Sequence, residues 1–324
     1  MRNNVGGGLK PARTVNAVKI FGFNNAVILL DKPKGRTSFE LVSEVKRITG
    51  IKKIGHSGTL DKFATGLMVL CTGDATRLTR FFIEDDKRYS GRIKLGVETD
   101  TCDITGTIIS EKSCLKVDWE FAAITLSQFL GEIDQAPPKF SALKVNGKRA
   151  SDRIRSGEDV DLKCRKIKIY SISVTGIDKD ENYIDFDIFC SKGTYIRSLA
   201  RDFGEKIGTG ACLAELRRVS SGEFNISQAA TIEELRQIKE NENFIDKPFL
   251  LKPADVLKDF GRIVIGDSGK KKIINGAPFK RDDCLSLEKG NRNLCMITDT
   301  DENLIAIAEI DIDKWNIDYY CVFN

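Results

Sequence analysis

GHSGTLDKFATG, Gly55 to Gly66, followed by LMVLC, Leu67 to Cys71, is the stretch from which the rest of the chain is read. Three glycines, Gly55, Gly58 and Gly66, surround one histidine and one acid, His56 and Asp61. Glycine permits backbone shapes and close approaches that a Cβ forbids, so a loop of this kind can bring a carboxylate against a ligand with little bulk between them. The apolar run after it suits a buried strand, which would anchor the acid. Read alone, neither polar residue decides anything. Asp is common in turns for its own backbone hydrogen bonds, and a lone histidine is more often a structural hydrogen-bonder than a catalyst.

The 324 residues suffice for one large domain and a small one. Contents of 41% hydrophobic and 30% charged residues describe an ordinary globular chain, and no apolar run approaches the ~18 residues of a membrane span. The opening MRNNVGGGLKPARTVNAVKIFGF lacks a secretory apolar core, and residues 1–25 read as a flexible tail. Nine cysteines, odd in number and without a CxxC, stand with a single histidine. That pattern argues against structural zinc and fits a reducing cytosol, so a cytoplasmic location is expected. Net charge is only +4, yet Lys139 to Lys168 holds ten Lys or Arg against four Asp or Glu. Such a block is either a phosphate-facing surface or a solvated basic face.

Upstream of the glycine-rich segment, Ala26 to Asp31 reads as a short buried strand running into the turn-rich KPKGRTS, Lys32 to Ser38. Thr37 and Glu40 have capping-box spacing. The helix after them carries Val42, Val45 and Ile48 on one face and stops at Gly50. Downstream, Asp74 is placed to cap a short helix through Phe82, and Tyr89 to Leu95 alternates as a strand. An acidic loop around Asp100 and Asp103 leads to a helix from Trp119 to Leu130, ended by Gly131. Pro137-Pro138 and an Asn146-Gly147 turn interrupt the next stretch. Ile167 to Thr175 and Tyr183 to Cys190 read as a hairpin. Ile196, Leu199, Phe203 and Ile207 recur at helical spacing up to Gly208, and Thr231 with Glu234 repeats the capping box. The charged stretch Lys239 to Pro248 puts a boundary near Leu250, dividing a large domain, 26–250, from a small β-rich module, 251–324. The fold class expected is α+β with a largely antiparallel sheet.

Five segments in order carry a resemblance. They are DKPKGRTS (Asp31 to Ser38), GHSGTLDKFATG, KRYSGRIKLGVETDTCDITG (Lys87 to Gly106), PPKFSALKVNGKRA (Pro137 to Ala150) and SKGTYIRSLARDFG (Ser191 to Gly204). Together they resemble the TruB family, the tRNA pseudouridine-55 synthases, closely from Ala26 to Arg218 and loosely beyond. The resemblance implies a pseudouridine synthase fold, with a mixed, largely antiparallel sheet flanked by helices and loops. It also implies a C-terminal PUA-like RNA-binding module, matched loosely by IINGAPF at Ile273 to Phe279. The implied reaction isomerises uridine in RNA to pseudouridine. The implied partner is the T-stem-loop of tRNA, with no cofactor, no metal, no membrane and no obligate protein partner, the chain acting as a monomer. No Walker loop or GxGxxG turn is present in the sequence.

The resemblance also assigns roles. Asp61 matches the catalytic aspartate and Arg197 the arginine that pairs with it. A carboxylate beside ribose C1′ can attack carbon, stabilise developing positive charge or remove a ribose proton, and the sequence leaves these three open. Tyr89 matches the tyrosine that packs on the flipped uracil, and Tyr195 a second pocket tyrosine. His56 matches the histidine thought to replace the extruded base in the RNA loop. Lys32 and Pro33 match a supporting pair at the active-site floor. Lys144, Lys148, Arg149 and Arg153 match the RNA-gripping region as phosphate contacts. Lys62 and Phe63 stand where the family commonly has proline and an aliphatic residue, which would loosen the loop or add a phosphate contact. Two other readings stand beside the stand-alone enzyme: an RNA-binding or tRNA-folding protein with incidental catalysis, and the guide-RNA-dependent relative of the family.

Overall fold

Local chemistry sets the first elements. Strand β1 is Val27–Lys32, with its four leading apolar side chains fully buried. Helix α1, Ser38–Thr49, starts with the expected capping box: the Thr37 hydroxyl accepts from the Glu40 amide, and the Glu40 carboxylate accepts from the Thr37 amide. Leu41, Val42 and Val45 face the interior, and Gly50 ends the helix at φ 72°. The computed structural model describes residues 25–323 apart from 114–116, 142, 146, 159, 161, 239–246, 291–292 and 312. Residues 1–24 of the expected tail, and Asn146 of the expected turn, lie outside the described residues.

Strands β2, Ile54–His56, and β3, Thr65–Thr72, pair antiparallel on either side of the glycine-rich loop. A 3₁₀ turn, Gly73–Leu78, and helix α2, Thr79–Ile83, follow. Asp74 does not cap this segment, contrary to expectation. The chain turns at Gly73 (φ 54°), so Asp74 already lies inside the turn. Its amide donates to Asn25 Oδ1 at 2.6 Å, and its carboxylate pairs with Lys53 at 3.1 Å.

Strand β4 is Lys87–Leu95, and β5, Val97–Thr99, pairs with β6, Ile108–Glu111. Helix α3 runs Trp119–Ser127 and stops short of the expected Leu130, because the Phe129 and Leu130 amides close tighter i→i+3 turns. Gly131 then opens β7, Gly131–Gln135. A short ribbon of β8, Lys144–Val145, and β9, Lys148–Arg149, leads into α4, Ala150–Arg155. The expected hairpin is β10, Arg165–Asp178, with β11, Tyr183–Cys190. Helix α5, Ile196–Ile207, ends at Gly208 with φ 87°. Strands β12, Ala211–Ser221, and β13, Phe224–Asn225, precede α6, Ile232–Gln237, which has the second capping box at Thr231 and Glu234.

Apart from the separate β5–β6 and β8–β9 ribbons, these strands, with β14, Leu250–Leu251, form one sheet in the order β14-β1-β3-β12-β4-β11-β10-β7, with β2 and β13 attached at its middle. The β12–β3 pair is parallel, at Arg217↔Thr65 and Arg218↔Gly66, and its neighbours are antiparallel. This makes the fold α+β with a mixed, largely antiparallel sheet. The parallel joint is where the glycine-rich loop enters the sheet.

The C-terminal part builds a second, five-stranded sheet from β15 (Gly261–Ile265), β16 (Cys284–Glu288), β17 (Leu294–Thr298), β18 (Leu304–Asp311) and β19 (Asn316–Val322), with α7 (Asp267–Ile274) packed on it. It has its own apolar cluster around Ile263, Phe279 and Ile297. Leu250–Leu251 pairs with Val27–Ile28 in the first sheet. Phe249, Ala254, Leu257 and Phe260 join the larger core together with Leu304 and Ile307. Phe249 to Phe260 thus pack with the first core, and the division into a large domain and a small β-rich module stays a proposal.

Candidate active site

The loop between β2 and β3 is anchored on both sides of Asp61. Before it, Leu60 exchanges hydrogen bonds with the Ser38 side chain, at 3.0 and 3.2 Å. After it, the Lys62 carbonyl accepts from the Gly35 amide at 2.9 Å. Lys32, at the end of β1, is fully buried, and its Nζ donates to the carbonyls of Ala64 (2.6 Å), Pro33 (3.0 Å) and Lys62 (3.4 Å). Removal from water pushes this ammonium down to about 8, although the charges of Asp61 and Glu40 oppose the change. Lys62 therefore does not leave the loop untethered: its carbonyl takes the anchoring bonds and its side chain is exposed, while Phe63 is buried in the core.

The acid meets its cation across the fold. Arg197, in the first turn of α5, is buried, and its Nε lies 2.9 Å from Asp61 Oδ2. A second nitrogen donates to Asp61 Oδ1 at 3.2 Å. The same guanidinium donates to the carbonyls of Thr101 (2.9 Å) and Phe140 (3.1 Å) and stands 3.5 Å from Asp103 Oδ2. Gln135 fixes the start of α5, accepting from the Tyr195 amide at 2.8 Å and donating to the Tyr195 carbonyl at 3.0 Å. The Asp61 side chain keeps 40% of its surface open. Enclosure by protein raises its carboxyl above the usual range; Arg197 opposes this, and the nearby Asp103 reinforces it.

Tyr89 on β4 is the direct cross-strand partner of Arg218 on β12. Burial pushes its phenol up, the Arg218 guanidinium pulls the other way, and the charge of Asp61 also reaches it. His56, at the end of β2, is half-buried, and its Nδ1 has no partner among the described residues. Burial and then the Arg218 charge hold its imidazole below the ordinary value, which keeps it neutral near pH 7. Lys32, Tyr89 and Arg197 thus each lie within electrostatic reach of Asp61, and Lys32, Tyr89 and His56 within reach of Arg218.

Tyr195 lies under Arg165, whose guanidinium carbon is 4.0 Å from the ring centroid. Arg153 is taken up by an ion pair with Glu158 at 2.6 Å, which weakens its expected role as a phosphate contact. Lys144, Lys148 and Arg149 lie on the β8–β9 ribbon, and their side chains fall outside the described residues. A cavity of about 700 Å³ lies elsewhere, between Phe81, Phe189, Phe224 and Phe260. Its carboxylates, among them Glu84, Glu223 and Asp255, suit no phosphodiester.

Two site residues escaped the sequence reading. In the sequence Asp103 is part of an acidic loop, and Arg218 is the end of the resembling region. The TDTCDITG run around Asp103 was the available signal for the first. The second needed the strand order.

Comparisons with known proteins agree on one relationship. A family model described as TruB family pseudouridylate synthase (N terminal domain) matches residues 46–196, and one for the tRNA pseudouridylate synthase B C-terminal domain matches residues 197–257. The chain is 37% identical over 309 residues to tRNA pseudouridine synthase B of Prochlorococcus marinus, covering 92% of this chain and 96% of that protein. It is 38% identical over 267 residues to the protein of that name from Clostridium tetani, covering 82% and 90%. Among solved structures, an H/ACA RNP bound to a substrate RNA containing 2′-deoxyuridine superposes with a TM-score of 0.70 at 23% identity, over 94% of this chain and 86% of that one. The archaeal box H/ACA sRNP Nop10-Cbf5 complex gives 0.68 at 24%, over 94% and 86%. At that identity these two establish the fold.

Proposed function

Since the chain belongs to the TruB family of pseudouridylate synthases, and is therefore an isomerase, we propose that it converts uridine to pseudouridine in tRNA, at uridine 55 of the T-loop, with Asp61 as the catalytic carboxylate. The bond from ribose C1′ to N1 breaks, the base turns, and a C1′–C5 bond forms. The C5 proton leaves and N1 gains one, so atoms balance without a cofactor. Extrusion of the base from its stack costs a few kcal/mol, which contacts in the cleft must offset. Tyr89 supplies a ring for the base, and neutral His56 fills the space it leaves in the RNA loop.

The observation that carries this reading is an acid with one open face, locked by a buried guanidinium 2.9 Å away. Arg197 favours the ionised carboxylate at the moment it meets C1′. Whether that carboxylate attacks carbon, stabilises charge or removes a ribose proton is a choice among three steps that all require it ionised. The basic β8–β9 region and the C-terminal sheet serve as tRNA-gripping surfaces, and the chain works as a cytoplasmic monomer. Asp61→Ala and Asp61→Asn test the reading: both should abolish product while tRNA binding is retained. Isomerisation that persists in both variants overturns it. Activity of the purified single chain on a bare stem-loop separates it from the guide-RNA-dependent relative of the family.

A further inference from the structure

Arg218 is buried, and among the described residues no carboxylate stands within ion-pairing distance of it. A buried charge without a counter-ion is costly, so its hydrogen bonds identify what holds it there. Nε donates to the Leu67 carbonyl at 2.6 Å, and a terminal nitrogen donates to the Gly58 carbonyl at 3.2 Å. Those two carbonyls flank Asp61 in sequence, one on each side of the loop. Arg218 itself lies on β12, between the two strands the reaction depends on: it is the register partner of Gly66 on β3 and of Tyr89 on β4. A Cβ on Gly66 would lie 2.4 Å from the Arg218 carbonyl oxygen, so backbone and side chain both hold the loop to this strand.

We infer that Arg218 is a positioning residue for the isomerisation: its planar guanidinium clamps both ends of the Asp61 loop onto the strand next to Tyr89. The clamp fixes the separation between the carboxylate that meets C1′ and the ring that covers the base. Lysine keeps the charge, but a single ammonium on a flexible stem does not reproduce the fork that reaches Gly58 and Leu67 together. This inference rests on the proposed reaction.

The test is Arg218→Lys in the full chain, with two readouts on unmodified tRNA: the single-turnover rate of pseudouridine formation and the dissociation constant for the RNA. A displacement on the order of an ångström costs about 100-fold in rate, so the expected result is a loss of that size with binding changed less than about 3-fold. A rate within about 3-fold of wild type overturns the inference, as does a parallel loss of rate and binding. Should Arg218→Lys fail to show a cooperative unfolding transition, Arg218→Gln repeats the measurement with a planar neutral head. Failure of both to fold also overturns it, since Arg218 would then serve stability alone. No product from the wild-type chain would instead refute the proposed reaction and leave the two failures distinguishable.

Discussion

Arg197 and Asp61 are 136 residues apart in sequence, yet the guanidinium Nε lies 2.9 Å from the carboxylate. The same arginine stands 3.5 Å from Asp103, so one buried cation serves two acids. Enclosure and the second acid raise Asp61, and Arg197 restrains the rise. The proposed reaction needs the ionised form, so rate is expected to fall as pH drops through the raised value. The acid limb of the rate profile is therefore expected above the ~3.9 of a free aspartate. Arg197→Gln removes the restraint and should move that limb higher still, with Arg197→Lys in between. It should also destabilise the fold by about 1–3 kcal/mol, less than for a sealed pair because Asp61 is 40% exposed. Rate profiles of the three proteins check the order, and an unmoved limb contradicts it.

His56 is the only histidine in the chain, so its imidazole resonances are unambiguous in an untagged protein. Burial and Arg218 lower it. A proton NMR titration should show it neutral at pH 7, with a midpoint below the ~6.5 of a free imidazole. A midpoint at or above that value contradicts the described environment.

Lys32 titrates near 8 when folded and near 10.5 in a free chain. Between those values the unfolded state holds the proton that the folded state has released, so stability contributed by Lys32 rises with pH across that window. The stability of wild type relative to Lys32→Met should therefore increase from pH 8 to pH 10.5, by on the order of 3 kcal/mol. Urea unfolding of both proteins at several pH values reads this out. A difference that stays flat or falls refutes it.

Gly66 has φ 106°, and an added Cβ would collide with the Arg218 backbone at 2.4 Å. Backbone on both sides leaves no flexible atom to yield. Gly66→Ala should cost at least about 2–3 kcal/mol, whereas Gly35→Ala, with φ 84° but open space around it, should cost about 1 kcal/mol. Equal costs at the two sites would show that the contact with Arg218 is not tight.

What could be read in the sequence was what is local. The Thr37–Glu40 and Thr231–Glu234 capping boxes and the stops at Gly50 and Gly208 depend on residues within one turn, and each formed where its spacing said. The β10–β11 hairpin was visible because its strands alternate. Strand β2 was not, since Ile54–His56 is short, half-buried and defined only by its pairing with β3. Asp74 failed as a cap because Asn25, 49 residues away, supplies the acceptor. Strand β16 hides in a charged stretch with a mostly exposed face. At the proposed site, Asp61, His56, Tyr89 and Arg197 are singled out by motif resemblance, and the fold brings Asp61 and Arg197 to 2.9 Å. Asp103 sits in the acidic TDTCDITG run but meets Arg197 only through the tertiary fold, and Arg218 meets Gly66 and Tyr89 only through the sheet order, so for Arg218 no local pattern exists.

Incubating the purified chain with unmodified tRNA, beside Asp61→Asn, and mapping pseudouridine by position decides whether this carboxylate isomerises the T-loop uridine. The expected result is one new pseudouridine in the T-loop with the wild-type chain and none with the variant, while both proteins bind the tRNA. Absence of product from wild type, or equal product from the chain that lacks the carboxylate, would contradict it.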